Sequence, residues 1–104
     1  MDYRIMMSCD AQEDLERAIQ YLLFEKKSEQ AAQNVLDDFE KTRDSLKMIA
    51  GSLKICENPE LAKSGYRRIN FFSHRYFMLY RIEDDIVYID NIFHELQDYE
   101  NKMQ

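Results

Sequence analysis

The hydrophobic rhythm of this chain changes once, across Asn58–Pro59. Before that dipeptide, apolar residues recur every three or four positions; after it, they alternate. Pro59 is the only proline. The residue before a proline is pushed out of the α region, so Asn58–Pro59 ends the helical reading. A chain that splits its two periods in this way segregates helices from strands, which defines the α+β class.

Within the first half, Tyr3 to Cys9 reads as a short strand. Asp10 then stands at an N-cap position with Glu13 three residues on, an Asp version of the capping box. Leu15, Ile19, Leu22 and Leu23 follow at helical spacing, which predicts a helix from Ala11 to Lys26. Ser28 caps a second helix whose stripe is Ala32, Val35, Leu36, Phe39, Leu46, Ile49, Ala50 and Leu53. Gly51 loosens its end. Only Lys27–Ser28 separates the two helices, so they form an antiparallel α-hairpin. The acidic run Asp37–Asp38–Glu40 reads as a solvated helix face.

A loop through Lys63, Ser64 and Gly65 leads into the second half. Three strands follow as a meander: Arg67 to Phe72, Arg75 to Ile82 and Ile86 to Phe93. The acidic turn Glu83–Asp84–Asp85 joins the last two. Alternation puts Tyr76, Met78, Tyr80 and Ile82 on one face of the middle strand, and Arg75, Phe77, Leu79 and Arg81 on the other. The order is β-α-α-β-β-β in one domain over residues 1–104. The N-terminal α-hairpin covers one face of a small, mainly antiparallel sheet, and the other face is left partly open.

Charge is uneven. The window from Leu61 to Ile82 holds Lys63, Arg67, Arg68, Arg75 and Arg81 and no acid, on a chain of formal charge −6. These five cations are the candidate binding residues, a basic island suited to an anionic partner. The sequence pI of about 4.9 argues against indiscriminate binding to nucleic acid or anionic membrane. Cys9 and Cys56 lack metal-ligand or CxxC spacing and read as reduced thiols. There is no Gly-rich phosphate loop, and no cofactor or metal is implied. The opening MDYRIMMSCD has no apolar h-region, and no apolar run approaches the roughly 18 residues of a membrane span, so a cytoplasmic protein is expected.

With that order laid out, the chain resembles the RelE/ParE superfamily, the toxin halves of type II toxin–antitoxin pairs, often of plasmid-stabilisation type. The resemblance rests on an ordered set. It comprises the opening strand, the Ala11–Leu15 helix start, the Leu53 to Pro59 link, Gly65 with Arg67 and Arg68, Tyr80–Arg81, His94, and Asp98–Tyr99. It implies a growth-inhibiting toxin held inactive by a cognate antitoxin, whose C-terminal segment would lie along the helices or a sheet edge. A homodimer or a toxin–antitoxin hetero-oligomer is permitted.

The superfamily holds two activities. RelE-like members cut mRNA in the ribosome, and for that chemistry the resemblance offers Tyr99, His94 and Arg68 as catalytic residues, with Arg75 as a further phosphate contact. Yet Phe72 and Glu95–Leu96–Gln97 stand where that pattern places cations, and they are poor groups to meet developing negative charge. ParE-like members poison DNA gyrase without known nuclease chemistry. Arg67–Arg68, Ser73–His74, Tyr80–Arg81, Glu83 to Asp85 and His94 with Asp98 follow the ParE pattern, which is favoured. The third reading is a degenerate, non-toxic binding module of the same fold.

Each residue also has a plainer role. Arg67 and Arg68 point one to each face of an edge strand. Arg75 and Arg81 are placed to pair with acids of the helix hairpin. His74 lies in a turn, His94 is placed to bond the backbone, and Tyr76, Phe77, Tyr80 and Tyr88 serve packing.

Overall fold

The structure is a computed structural model, and it describes residues 2–96. The elements are β1 (Arg4–Met7), α1 (Cys9–Gln20), α2 (Glu29–Ile49), α3 (Pro59–Lys63), β2 (Arg67–Asn70), β3 (Tyr76–Glu83) and β4 (Ile86–His94). The strands form one sheet in the order β1-β4-β3-β2. The meander β2-β3-β4 is antiparallel, and β1 adds to the far side of β4 in parallel. The expected α+β fold with helices segregated from the sheet is therefore the observed one. No helix among the described residues is long and apolar enough to cross a membrane.

Local chemistry sets the element ends, and it corrects three expectations. The first cap is Ser8, not Asp10. Ser8 is extended (φ −71, ψ 163), and its hydroxyl accepts from the Ala11 N–H at 3.0 Å while donating to the Asp90 carbonyl at 2.8 Å. The helix thus starts two residues early, and Asp10 lies in its first turn. Ser8→Ala is expected to cost about 1–2 kcal/mol, and Asp10→Ala only about 0.5 kcal/mol. Urea unfolding of the two variants checks this, and equal costs would return the cap to Asp10.

The first helix does not run regularly to Lys26 either. It passes into a π-helical turn, Tyr21–Glu25, in which the Lys26 N–H bonds the Tyr21 carbonyl at 3.1 Å. Lys27 then turns back with φ 51, and Ser28 caps α2 by accepting from the Ala31 N–H, as its sequence position implies. Third, Pro59 opens a helix where the sequence suggested a loop. The Asn58 side chain accepts from the N–H groups of Glu60 and Leu61 at 2.9 and 3.2 Å. Proline halts a helix upstream of itself, but its fixed φ suits the first helical position.

That short helix has a consequence for the sheet. On one face, α1 and α2 bury Val35, Phe39 and Leu46 against Met78, Tyr80, Val87, Ile89 and Ile92. The other face was expected to stay partly open. Instead, Leu61 of α3 packs with Phe77, Leu79 and Phe93, and Cys56 and Tyr66 close around them. Phe77 and Leu79 have no solvent exposure. The apolar centre of β3 reaches both faces, so both need a cover.

The acidic run also divides. Asp37 and Glu40 are exposed, but Asp38 is only 5% exposed and faces inward beside Phe39 and Thr42. It accepts hydrogen bonds from the Phe72 and Ser73 N–H groups at 3.0 and 2.9 Å and from His74 Nδ1 at 2.7 Å. A solvated reading of Asp38 is therefore wrong, because the β2–β3 connection brings it three donors.

A basic face split by a bulge

The register of β3 against β4 breaks once. Leu79 pairs with Asn91 and Tyr80 with Ile89, which leaves Asp90 as an extra residue. Such a bulge resets the alternation of side chains along a strand. Val87 and Ile89 face the helix hairpin before it, and Ile92 faces the hairpin after it. Phe93 then joins the α3 side. The bulge is pinned from α1. Asp14 Oδ2 accepts from the Ile92 N–H at 3.0 Å and from Asn91 Nδ2 at 3.3 Å, and Ser8 holds the Asp90 carbonyl.

The Asp90 side chain organises the α3 side. Its carboxylate accepts from the Tyr66 hydroxyl at 2.8 Å and from Arg81 Nε at 2.9 Å. Arg81 also pairs with Glu83 at 2.7 Å and lies 4.7 Å from the centre of the Tyr88 ring. Its partners are thus acids of the sheet, not of the helix hairpin. The Asp90 hydrogen bond holds the guanidinium pKa above its ordinary value. Burial, then the bond to Asp90, push the Tyr66 hydroxyl up to about 12. At neutral pH this is a fixed network of a phenol, a carboxylate and a guanidinium.

The other cations separate. Arg68 lies 3.7 Å from the centre of the Phe77 ring and donates to Asn70 Oδ1 at 2.9 Å. Arg67, on the opposite side of β2, donates to the Leu53 carbonyl. Lys63 and Arg75 are exposed and make no ion pair among the described residues. The basic island is therefore three tethered side chains and two exposed ones.

His94 lies on the hairpin side. Its ring meets Tyr76 edge-on at 5.1 Å, and its Nδ1 accepts from the Leu96 N–H at 3.1 Å. It lines a cleft of about 480 Å³ with Arg17, Tyr21, Tyr76 and Leu96. Arg68 stacks on Phe77, the neighbour of Tyr76 in β3. Adjacent strand residues face opposite ways, so the sheet separates Arg68 from His94. Arg68 and Arg81 share one face and His94 occupies the other. Tyr99 lies outside the described residues. Sequence reasoning missed Asp14, Asp38, Tyr66 and Asp90, the groups that fix this arrangement.

A helix hairpin on a four-stranded mixed sheet is a known architecture. The chain superposes on a solved structure of the chromosomal ParDE toxin–antitoxin system from P. aeruginosa with a TM-score of 0.71, covering 88% of this chain and 95% of that one at 16% identity. Residues 5–99 match the family of ParE toxins of type II toxin–antitoxin systems, parDE, and the chain belongs to that family. No curated protein matches it in sequence.

Proposed function

We propose that this chain is a growth-inhibiting toxin that acts on DNA gyrase in the cytoplasm and is neutralised by a cognate antitoxin. One observation carries the choice of target: Arg68 and His94 occupy opposite faces of the sheet. Cutting a phosphodiester needs an acid or base and a charge-stabilising cation at the same reacting group. Two residues divided by a packed sheet do not converge on one phosphate. Arg81, also a cation on the Arg68 face, is already paired with Asp90 and Glu83. The reading of the protein as a gyrase inhibitor needs no such convergence.

The cleft beneath the helix hairpin suits the antitoxin. Tyr21 and Leu96 line it and are 49% and 81% exposed, which leaves apolar area for a segment that folds on binding. The test is a pair of assays on the purified chain. Gyrase should lose supercoiling of relaxed plasmid and accumulate double-strand breaks, while mRNA on translating ribosomes stays whole. Cut mRNA beside unimpaired gyrase would reverse the assignment.

A further inference from the structure

The sheet has two edges, and they are finished differently. At β2, Ile55 bridges to Arg67 and the Cys56 N–H bonds the Tyr66 carbonyl at 2.9 Å, so a neighbouring segment meets the start of that strand. At β1 the parallel pairing with β4 decides which main-chain groups are used. The Arg4 N–H bonds the Asp85 carbonyl at 2.8 Å, and the Ser8 N–H bonds the Ile89 carbonyl at 3.0 Å. Main-chain groups of alternate residues point the same way along a strand. Arg4, Met6 and Ser8 therefore face β4, while Tyr3, Ile5 and Met7 face outward. The Tyr3 N–H follows this phase, reaching the Lys47 carbonyl near the end of α2 at 2.9 Å. Among the described residues nothing bonds the outward N–H and carbonyl groups of Ile5 and Met7.

Natural sheet edges are guarded by proline, bulges or charge. β1 holds no proline and no bulge, and its single charge, Arg4, turns onto Asp85 of its own chain at 3.5 Å. Its other side chains are apolar on both faces. Met6 is 54% exposed on the face away from the helix hairpin, and Ile5 and Met7 pack on the hairpin side. Met48, next to Lys47 in the last turn of α2, is 64% exposed.

We propose that β1 is a self-association edge: two copies of this chain pair their β1 strands antiparallel about a two-fold axis at Met6, joining two four-stranded sheets into one. The main chain selects this register. A two-fold pairing must set outward-facing residues opposite each other, because only those have groups to exchange. Centred on Met6, Ile5 of each copy stands opposite Met7 of the other, and the open groups of both residues are used. Centred on Ile5, Met7 would need Tyr3, whose N–H is already held by Lys47. Centred on Met7, Ile5 would need Cys9, which already belongs to α1. Side chains favour the Met6 register too. The two Met6 side chains meet at the close, non-hydrogen-bonded site and bury their exposed area. Arg4 stands opposite Ser8 of the second copy, so no like charges are paired across the strands, although the chain carries a net −6. A contact that uses the same patch on both copies closes as a dimer.

The experiment is sedimentation equilibrium of the purified full chain, joined to oxidative crosslinking. The wild type should show a monomer–dimer equilibrium with a dissociation constant of about 1–100 μM, in keeping with a small interface. Met6→Lys sets two ammonium groups against each other and should weaken the dimer at least about 10-fold. Its circular dichroism spectrum should not change, because the side chain is exposed. The Ile5 and Met7 amides should exchange slowly in the wild-type dimer and fast in Met6→Lys. Crosslinking reads the register itself. In a Cys9→Ser background, Met6→Cys puts two thiols on facing residues about 4.5 Å apart at Cα, within disulfide range. Oxidised glutathione should convert that variant to a covalent dimer. Arg4→Cys in the same background should not crosslink, since the two copies of that position are offset along the strands by about 13 Å. A wild type that stays monomeric across the stated concentrations would overturn the proposal. So would a dimer that survives Met6→Lys in the folded chain, or one in which Met6→Cys fails to crosslink, because either result moves the contact to another surface. If Met6→Lys does not fold, the crosslinking pair decides alone.

Discussion

Asp38→Ala is expected to lower the unfolding free energy by about 3 kcal/mol, a fall of roughly 10–20 °C in melting temperature for a domain of this size. Alanine leaves the Phe72 and Ser73 N–H groups and His74 Nδ1 without their acceptor. It also opens space beside Phe39 and Thr42 in the packed face of α2. Asp37→Ala, one residue away but exposed, should change stability by about 0.5 kcal/mol or less. Urea unfolding at neutral pH separates the two. Similar small losses would mean that the bonds to Asp38 contribute little.

The same carboxylate gives a pH signature. Burial raises its pKa, but the His74 hydrogen bond, the Ser73 and Phe72 N–H groups and the His74 charge together bring it below the ordinary 3.8. The folded chain therefore binds this proton more weakly than the unfolded chain. Its contribution is complete above the unfolded value and drains away as pH falls through the lower folded value. The stability gap between wild type and Asp38→Asn should narrow below about pH 4. A gap undiminished at pH 2 would show that the ionised form is not what stabilises.

Much of the fold could be read from two periods and a few caps. The split at Asn58–Pro59, the Ser28 cap and the three strands of the meander follow from local chemistry. What escaped depended on distant partners. Asp38 sits three residues after Val35 and four before Thr42, so it occupies a stripe position despite its charge. Asp14 does the same, three residues after the buried Ala11. An acid in an apolar stripe is a readable sign of a buried acceptor, but its donors lie 34 to 36 residues away for Asp38 and 77 to 78 for Asp14.

The candidate site was harder still. Strict alternation from Val87 puts His94 on the face of Tyr88, beside Arg81 and Arg68. One extra residue at Asp90 moves it to the other face. No feature of the sequence Ile89–Asp90–Asn91 announces a bulge, since its cause is the pair of bonds from Asp14. The charge pattern was visible, but its neutralisation was not. Arg81 meets Asp90 only once β3 and β4 are in register.

Tyr80 and Arg81 were read together as part of a family pattern, and the structure gives both a scaffolding contact. Arg81 is tied to Asp90. Tyr80 has no solvent exposure, and its hydroxyl donates to the Ala50 carbonyl at 2.7 Å, joining the sheet to the turn that ends α2. Tyr80→Ala is expected to cost about 4 kcal/mol, because it removes a ring from the centre of the hairpin-side core. Tyr80→Phe keeps the ring and should cost about 1–2 kcal/mol for the unpaired carbonyl. Burial also raises the phenol pKa. The unfolded chain then gives up this proton more readily, so the contribution is complete below about pH 10 and is lost as pH rises through the folded value. The wild type should lose its advantage over Tyr80→Phe above pH 10, measured by urea unfolding across pH 8 to 11. If Tyr80 acted by contacting a target, Tyr80→Phe would keep full stability and lose potency. The buried bond to Ala50 argues for the reverse: reduced stability, with growth arrest retained wherever the variant is folded.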